Sequence, residues 1–214
     1  MTQVSLLIFD LDGTLVDSAG DIKTSLNHTL SCLALPQLSA DQVRECIGDG
    51  VHSLLSRASG REDSKFLQKA ADIFMEHYGL HCVDGSPMYP GVLDTLQFFQ
   101  SKKMVIVSNK PKVMADRILK KYGIWDNFEL VLGGDSTLER KPHPEPIFKS
   151  LEACGVEAQF CLIVGDGVTD ILAGQSAGVK TCAVTYGYKS RDILAKLNPD
   201  YMIDTFESLR YIVE

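Results

Sequence analysis

The chain has 214 residues, of which 45% are hydrophobic, and its 21 Lys and Arg against 28 Asp and Glu leave a formal charge of −7. A chain of this size buries about 70% of its unfolded surface on folding, so it needs no disulfide to complete a core. The apolar content excludes a disordered chain, and the lack of a Lys/Arg cluster argues against a nucleic-acid partner. The acidic balance also argues against an anionic membrane surface, but a small phosphorylated ligand needs only a few placed cations.

The first residues contain no basic segment, and their apolar run is too short for a signal peptide or a membrane span. We therefore expect a cytoplasmic protein whose thiols stay reduced. Its six cysteines show no CxxC spacing, so we expect most of them to be small buried apolar side chains. The sequence carries no signal for an oligomeric state.

The pattern of apolar residues predicts one strand followed by a long helical segment. Residues 4–9 (VSLLIF) form a continuous apolar run, which is typical of a strand buried on both faces. From about Asp17 to Val83 no such run occurs, and apolar residues recur at helical spacing. A capping-box pattern begins at Ser39. This segment is therefore predicted to be all helical.

After a Tyr-Pro-Gly turn at residues 89–91, predicted strands and helices alternate. The predicted strands are 104–108, 129–133, 160–166, 180–187 and one that begins at 200. The predicted helices are 92–102, one after Pro111 that ends near Gly123, 144–154, one that ends at 177–178, a short one after residue 187, and a last one that runs to 213.

This alternation predicts an α/β fold with a doubly wound, mainly parallel Rossmann-like sheet. We expect residues 1–15 and 85–214 to form the catalytic core domain and residues 16–84 an inserted all-helical cap domain. Such an insertion lies over the edge of the sheet where open α/β folds bind ligands.

Polar side chains follow the predicted strands at their carboxyl ends, which meet at one edge of a parallel sheet. Asp10 and Asp12 follow the first strand, Ser108 follows the second, and Asp166 ends the strand at 160–166. Of two adjacent carboxylates, one can attack phosphorus and the other can transfer protons to and from oxygen. The sequence therefore predicts a catalytic pair, Asp10 and Asp12.

The acidic residues also predict a metal site. Carboxylates this close repel each other, and an all-oxygen ligand set favours Mg²⁺ as the cation that relieves the repulsion. The candidate ligands are Asp10, Asp12, Asp166 and Asp170. Asp166 lies at the strand end and is the better direct ligand, whereas Asp170, one helical turn later, ligates the metal or orients a metal-bound water.

Phosphate oxygens need donors and a fixed positive charge, for which the candidates are Thr14, Ser108, Asn109 and Lys141. Each motif alone also fits a turn, a helix cap or a solvated loop. All of these motifs together, each at or after the end of a predicted strand, indicate a phosphate-binding catalytic site. In the predicted cap, Arg44, Gly48 and Gly50 are candidate specificity residues, although a plain helix-turn-helix explains that segment equally well.

Four segments resemble the motifs of the haloacid dehalogenase superfamily of phosphohydrolases: DLDGTLVDS (10–18), VSNK (107–110), KPHP (141–144) and GDGVTD (165–170). The RECIGDG segment and the AGVKTCAVTYGY segment resemble its phosphoglycolate phosphatase-like subgroup. Asp12 is unlike the dehalogenases themselves, which do not keep that second acid. Gly167 departs from the family pattern, since relatives commonly have a hydroxyl residue there.

The resemblance implies a role for each matching residue. Asp10 would be the nucleophile that forms an aspartyl-phosphate, and Asp12 would protonate the leaving alcohol and then deprotonate water. Mg²⁺ would be held by Asp10, the main-chain carbonyl of Asp12 and Asp166, with support from Asp170. The phosphoryl oxygens would be held by Ser108 and Lys141.

We therefore expect a Mg²⁺-dependent phosphatase acting on a small phosphorylated metabolite, with 2-phosphoglycolate as the first candidate. A phosphomutase similar to β-phosphoglucomutase would need cap groups that shield the aspartyl-phosphate from water. A pyrophosphatase or sugar-phosphate phosphatase fits the same catalytic residues, because the cap sets specificity. From other classes, a signalling receiver domain is smaller and carries its acceptor on an internal strand, and a non-catalytic binding domain would have lost Asp10 or Asp12.

Overall fold

The computed structural model describes residues 2–214, and its strands form one six-stranded sheet in which every neighbouring pair is parallel. The strands are β1 Leu6–Phe9, β2 Lys103–Val107, β3 Leu130–Leu132, β4 Cys161–Gly165, β5 Lys180–Val184 and β6 Tyr201–Ile203. Their order across the sheet is β3-β2-β1-β4-β5-β6. The strand order therefore reverses between β1 and β4, as in a doubly wound Rossmann-like sheet, and the predicted fold class is confirmed.

The central strand is apolar at every position because both of its faces are covered. Leu7 and Phe9 belong to one hydrophobic cluster and Leu6 and Ile8 to another, and all four side chains are fully buried. Successive side chains of a strand point to opposite faces of the sheet. The continuous apolar run at the start of the chain thus records a sheet with helices on both sides.

Helices either cover the sheet or belong to the segment between β1 and α5. The latter, here called the helical insertion (residues 19–81), comprises α1 Ala19–Cys32, α2 Ala40–Cys46, α3 Val51–Ser59 and α4 Ser64–His81. The remaining helices are α5 Val92–Phe98, α6 Lys112–Lys121, α7 Glu145–Cys154, α8 Val168–Ala177 and α9 Arg191–Ala195. The predicted all-helical segment is confirmed.

The capping box predicted at Ser39 is present in the structure. The Ser39 hydroxyl accepts from the backbone N–H of Gln42 at 3.4 Å, and the Gln42 side chain accepts from the backbone N–H of Ser39 at 2.9 Å. Both bonds satisfy donors that α2 would otherwise leave unpaired at its first turn. The insertion packs together through α1 and α4, which carry buried Leu26 and Phe74.

Two adjacent chain segments connect the helical insertion to the sheet. The backbone N–H of Asp17 donates to the carbonyl of Pro87 at 2.9 Å, and that of Tyr89 donates to the carbonyl of Leu15 at 3.0 Å. Val16 and Met88 form an isolated antiparallel bridge. These contacts hold the entering and leaving segments side by side.

Several predicted elements are shorter in the structure. The helix predicted over 92–102 ends at Phe98, and the strand predicted over 180–187 ends at Val184. The last predicted helix is a 3₁₀ helix at Phe206–Tyr211. The segment after β5 leaves the sheet: the Tyr186 hydroxyl donates to the carbonyl of Thr14 at 2.8 Å, and the backbone N–H of Tyr188 donates to the Asp166 carboxylate at 2.7 Å.

All six cysteines are free thiols, and five of them are buried, as expected; Cys32 is the exposed exception. Within residues 2–214, every helix is too short or too polar to cross a lipid bilayer.

Candidate active site

The carboxyl ends of three neighbouring strands bring the predicted site residues together. Asp10 follows β1, Ser108 follows β2 and Asp166 follows β4. Because β1 lies between β2 and β4, these side chains meet above the centre of the sheet. Asp10, Asp166 and Asp170 each offer a carboxylate oxygen, and the three oxygens lie within 4.8 Å of one another.

Two hydrogen bonds hold the Asp166 carboxylate in place, and two glycines leave the space that its side chain occupies. Its carboxylate accepts from the Thr14 hydroxyl at 3.3 Å and from the backbone N–H of Tyr188 at 2.7 Å. A Cβ on Gly13 or Gly187 would collide with the Asp166 side chain, and Gly13 also has a φ of +81°. Burial, followed by the charges of Asp10 and Asp170, raises the pKa of Asp166 well above its ordinary value. The fold therefore places a carboxylate where it needs a cation.

Asp170 is fully buried at the first turn of α8 and does not face open space. One of its oxygens accepts from the Lys141 ammonium at 2.5 Å, and the other accepts from the backbone N–H of Gly167 at 2.9 Å. Burial raises the pKa of Asp170 to about 6, although the Lys141 charge opposes that shift. Asp170 is thus both the cap of α8 and the partner of Lys141.

Lys141 reaches the same cluster from the loop after β3. Its ammonium also donates to the carbonyl of Val107 at 2.5 Å and lies 3.1 Å from Oδ1 of Asp10. Burial lowers the pKa of Lys141, but the charges of Asp10 and Asp170 outweigh it, so that the pKa lies above its ordinary value. The predicted positive charge is therefore present beside Asp10.

Asp12 points away from the carboxylate cluster. Its Oδ1 accepts from the Ser18 hydroxyl at 2.5 Å, and its Oδ2 lies 3.0 Å from the ammonium of Lys110. The side chain of Asp12 is 13% exposed, against 3% for Lys110. The two catalytic candidates therefore have separate surroundings: Asp10 among carboxylates and Lys141, Asp12 beside a hydroxyl and a lysine.

Ser108 and Asn109 are both buried, but their contacts differ. The Ser108 hydroxyl accepts from the backbone N–H of Lys110 at 3.4 Å, and its own proton has no acceptor among residues 2–214. The Asn109 amide donates to the carbonyls of Gly48 and Lys141, at 2.9 Å each. Ser108 is therefore free to donate to a ligand, whereas Asn109 joins the sheet to the helical insertion.

A cavity of about 60 Å³ lies between the helical insertion and the strand ends. Its polar floor includes Asp10, Asp12, Ser108 and Asp166. Its apolar wall comes mainly from the insertion, through Ile22, Ile47, Val51, Leu54 and Phe74. The predicted site is thus partly enclosed, with the insertion as its cover.

The three specificity candidates lie in different positions. Gly48 and Gly50 line the cavity, and Gly50 has a φ of +84° where a Cβ would press on the Arg140 guanidinium. Arg44 is not among the lining residues; its guanidinium lies 3.5 Å from Asp41, with 46% of the side chain exposed. A role for these three residues in specificity stays a prediction.

Three residues that contact Asp12 or Asp166 are not among the predicted site residues. Lys110 and Ser18 belong to the quoted motifs VSNK and DLDGTLVDS, and Tyr188 belongs to the AGVKTCAVTYGY segment. The motifs thus contained the signal, but only the fold shows which carboxylate each residue contacts.

The carboxylate cluster fits a divalent cation. Asp10 Oδ1 is buried and has no hydrogen-bond partner among residues 2–214, although Lys141 is close to it. Three acidic side chains converge, and the donors are all oxygen, as hard divalent cations prefer. The site is therefore a candidate metal centre next to a candidate nucleophile.

Comparison with known proteins agrees with this geometry. The family model of haloacid dehalogenase-like hydrolases matches residues 7–184. A phosphoglycolate phosphatase of Aquifex aeolicus is 39% identical over 92% of this chain and 91% of its own length. That of Haemophilus influenzae is 36% identical over 99% of both chains. A crystal structure of a predicted phosphoglycolate phosphatase from Haemophilus somnus superposes with a TM-score of 0.93, at 35% identity and 99% coverage of both chains.

The chain therefore belongs to the haloacid dehalogenase-like hydrolase family, and within it the protein is a phosphatase, an enzyme that hydrolyses phosphoric monoesters. The phosphomutase alternative is not favoured by these relatives.

Proposed function

We propose that the protein is a Mg²⁺-dependent phosphatase that hydrolyses 2-phosphoglycolate through an aspartyl-phosphate on Asp10. The observation that carries this proposal is the separation of the two carboxylates at the end of β1. Asp10 lies with Asp166, Asp170 and Lys141, where a phosphoryl group would be neutralised, and Asp12 lies outside that cluster. The substrate is proposed because the two relatives named above are phosphoglycolate phosphatases, and this chain matches them over nearly their full lengths.

Mg²⁺ would be held by the carboxylates of Asp10 and Asp166 and by the main-chain carbonyl of Asp12. When bound, the ion would withdraw charge from the phosphoryl oxygens and offset the repulsion among the aspartates. Since both oxygens of Asp170 already accept hydrogen bonds, we assign Asp170 a supporting role through Lys141 and Gly167.

In the first step, a carboxylate oxygen of Asp10 attacks phosphorus as the bond from phosphorus to the ester oxygen breaks. Asp12 donates its proton to that leaving oxygen, so glycolate departs with a neutral hydroxyl. Ser108 is placed to donate its free hydroxyl proton to a phosphoryl oxygen, while Lys141 lies beside the attacking carboxylate.

In the second step, water attacks phosphorus and the bond from phosphorus to Asp10 breaks, which releases phosphate and restores the carboxylate. Asp12, now ionised, accepts the proton from that water and returns to its starting state. The Ser18 hydroxyl and the Lys110 ammonium hold the Asp12 carboxylate in one orientation through both steps.

The predicted division of the chain into a core of residues 1–15 and 85–214 and a cap of residues 16–84 belongs to the same proposal. It is supported by the paired segments near Val16 and Met88 and by the cavity beneath the helical insertion. In this proposal, Thr14 acts on the metal site through the hydrogen bond from its hydroxyl to Asp166. A cytoplasmic location also stays a prediction.

The test is phosphate release from a panel that contains 2-phosphoglycolate, 3-phosphoglycerate, glucose 6-phosphate, pyrophosphate and p-nitrophenyl phosphate, with Mg²⁺ or EDTA. We expect the highest kcat/KM for 2-phosphoglycolate and no turnover in EDTA. Asp10→Asn should abolish turnover of every substrate. Asp200→Asn is the matched control, because Asp200 precedes β6 and lies at the opposite edge of the sheet. Near wild-type turnover by Asp10→Asn would refute the mechanism, and a poor rate with 2-phosphoglycolate would refute the substrate alone.

A further inference from the structure

We propose that Lys110 is a specificity-determining residue that binds an anionic group one carbon away from the ester oxygen, and that Tyr78 of the helical insertion holds its ammonium in place. This inference rests on the proposed function, since it assigns the carboxylate of 2-phosphoglycolate to one side chain. The residue lies directly after the Ser108–Asn109 pair, in the loop between β2 and α6.

The backbone of Lys110 is fixed by residues just after β2 and β3 rather than by the insertion. Its carbonyl accepts from the backbone N–H of Gly134 at 2.8 Å, and its N–H donates to the Ser108 hydroxyl at 3.4 Å. A Cβ on Gly133 would approach the Lys110 carbonyl at 2.7 Å, so this glycine permits the close contact. The base of the side chain is therefore held rigidly beside the reacting groups.

The ammonium of Lys110 contacts both the sheet side and the insertion side of the cavity. It lies 3.0 Å from Oδ2 of Asp12, donates to the Tyr78 hydroxyl at 2.6 Å, and lies 4.5 Å from the centre of the Tyr78 ring. An ammonium has three protons, and these two partners leave one without an acceptor among residues 2–214. A buried cation with a free proton is a ready partner for a carboxylate.

Few other cations reach this cavity. Among its lining residues only Lys110 and Lys189 carry a positive charge, and Lys189 is partly exposed, with its ammonium 3.3 Å from the carbonyl of Glu45. Lys141 is already engaged by Val107 and Asp170. A second anionic group on the substrate therefore has Lys110 as its one buried partner in the part of the cavity that the structure describes.

The position of Lys110 fits a substrate with a very short spacer. An ester oxygen that takes a proton from Asp12 must lie about 3 Å from that carboxylate. Lys110 lies 3.0 Å from the same carboxylate, so one methylene group suffices to bring a substrate carboxylate into contact with its ammonium. Beyond this point the wall is apolar, with Ile22, Leu54 and Phe74, so a longer polar substrate would lose its hydration without gaining a partner.

The test compares 2-phosphoglycolate with 2-hydroxyethyl phosphate, which has the same spacer but a hydroxymethyl group in place of the carboxylate. The measured quantity is the ratio of the two kcat/KM values, for the wild type and for Lys110→Met. Because Lys110 also contacts Asp12, we expect the variant to be slower with both substrates. Loss of a charge-assisted bond should in addition lower the ratio by about 10-fold or more.

Two further variants complete the test. Tyr78→Phe removes only the hydroxyl that accepts from Lys110 and should lower the ratio less than Lys110→Met. Lys189→Met removes the same charge at the partly exposed lysine and should leave the ratio unchanged. Thermal unfolding of each variant checks that it is folded, and if Lys110→Met does not fold, the smaller Tyr78→Phe substitution carries the test.

The outcomes separate this inference from the proposed function. An unchanged ratio in Lys110→Met, with the wild type preferring 2-phosphoglycolate, would overturn the role of Lys110 and leave the proposed function intact. A wild type without that preference would overturn the proposed substrate and, with it, the role of Lys110 in binding a carboxylate. Equal losses for both substrates would show that Lys110 only positions Asp12.

Discussion

Lys141 and Asp170 form an ion pair in which each side chain is 1% exposed, with the ammonium 2.5 Å from a carboxylate oxygen. The two residues come from the loop after β3 and from α8, so the pair joins two elements on either side of β1. Removing Lys141 alone leaves two carboxylates, Asp170 and Asp10, without their cation, whereas removing both charges of the pair leaves only Asp10 without it. Stability and catalysis can therefore be separated at this pair.

We predict that Lys141→Met lowers the free energy of unfolding by about 3–5 kcal/mol, because Asp10 and Asp170 lose their shared cation. The double variant Lys141→Met/Asp170→Asn should recover part of that loss, since the asparagine oxygen can still accept from the Gly167 N–H. Urea unfolding in EDTA measures both values. Both variants should lack activity. A double variant that is less stable than the single variant would contradict this account.

A second prediction concerns the cation that the carboxylate cluster would bind. Mg²⁺ should stabilise the wild type, by about 2.7 kcal/mol at a concentration 100 times its dissociation constant. Asp166→Asn should greatly reduce this stabilisation, because it removes one of the three converging carboxylates. The shift of the unfolding temperature with added Mg²⁺ provides the measurement without any substrate. Asp200→Asn should keep the full shift, and an equal shift in Asp166→Asn would place the ion elsewhere.

Gly187 offers a third prediction, because a Cβ at this position would collide with the side chain of Asp166. Gly187→Ala should displace that carboxylate and weaken Mg²⁺ binding by about 10–100-fold, as other changes next to metal ligands do. Gly20→Ala is the matched control: Gly20 lies in α1, and no atom lies within 4 Å of its added Cβ. Titration of the thermal shift with Mg²⁺ compares the two. Unchanged affinity in Gly187→Ala would show that the loop after β5 moves freely.

The sequence predicts the parallel sheet and the polar residues at its strand ends because both depend on local patterns of apolar and polar residues. A buried parallel strand is apolar throughout, and a polar residue at its end is visible in the chain, as with Asp10 and Asp166. These patterns led to the fold class, to the helical insertion and to the convergence of the acidic residues. Because parallel strands all end at the same edge of the sheet, the residues that follow them lie close together, and this does not depend on which side chains pack around them.

The partners of each side chain are set by tertiary contacts and were not predictable in the same way. Thr14 was expected to bind phosphate, and its hydroxyl donates to Asp166. Asn109 was a phosphate candidate too, and its amide binds the carbonyls of Gly48 and Lys141. A motif gives the residue type and the strand end, but a rotation about one side-chain bond decides which neighbour is reached.

The final prediction concerns three neighbouring imidazoles on the helical insertion, of which His28 and His77 are stacked and His77 and His81 are tilted. The ring centres of His28 and His77 are 4.1 Å apart, and those of His77 and His81 are 4.4 Å apart. Burial, followed by the charges of His28 and His81, lowers the pKa of His77, while Asp84 opposes this shift. Ser25 is also within reach, with its hydroxyl 3.0 Å from Nδ1 of His77.

A lowered pKa means that the folded protein binds fewer protons at His77 than the unfolded chain does. Stability therefore falls as the pH drops through the ordinary histidine range, near pH 6.5, toward the lowered pKa, and it is retained above that range. The effect should stay below about 1 kcal/mol because the stack faces solvent. Unfolding temperatures measured between pH 8 and pH 5 should decrease less for His77→Gln than for the wild type. The pH profile of the variant must be compared with that of the wild type, because Asp166 has an effect of the opposite sign in both proteins. Burial raises the pKa of Asp166, so in the metal-free protein this group favours folding as the pH falls. Identical pH profiles for His77→Gln and the wild type would show that the stack carries no proton-linked energy.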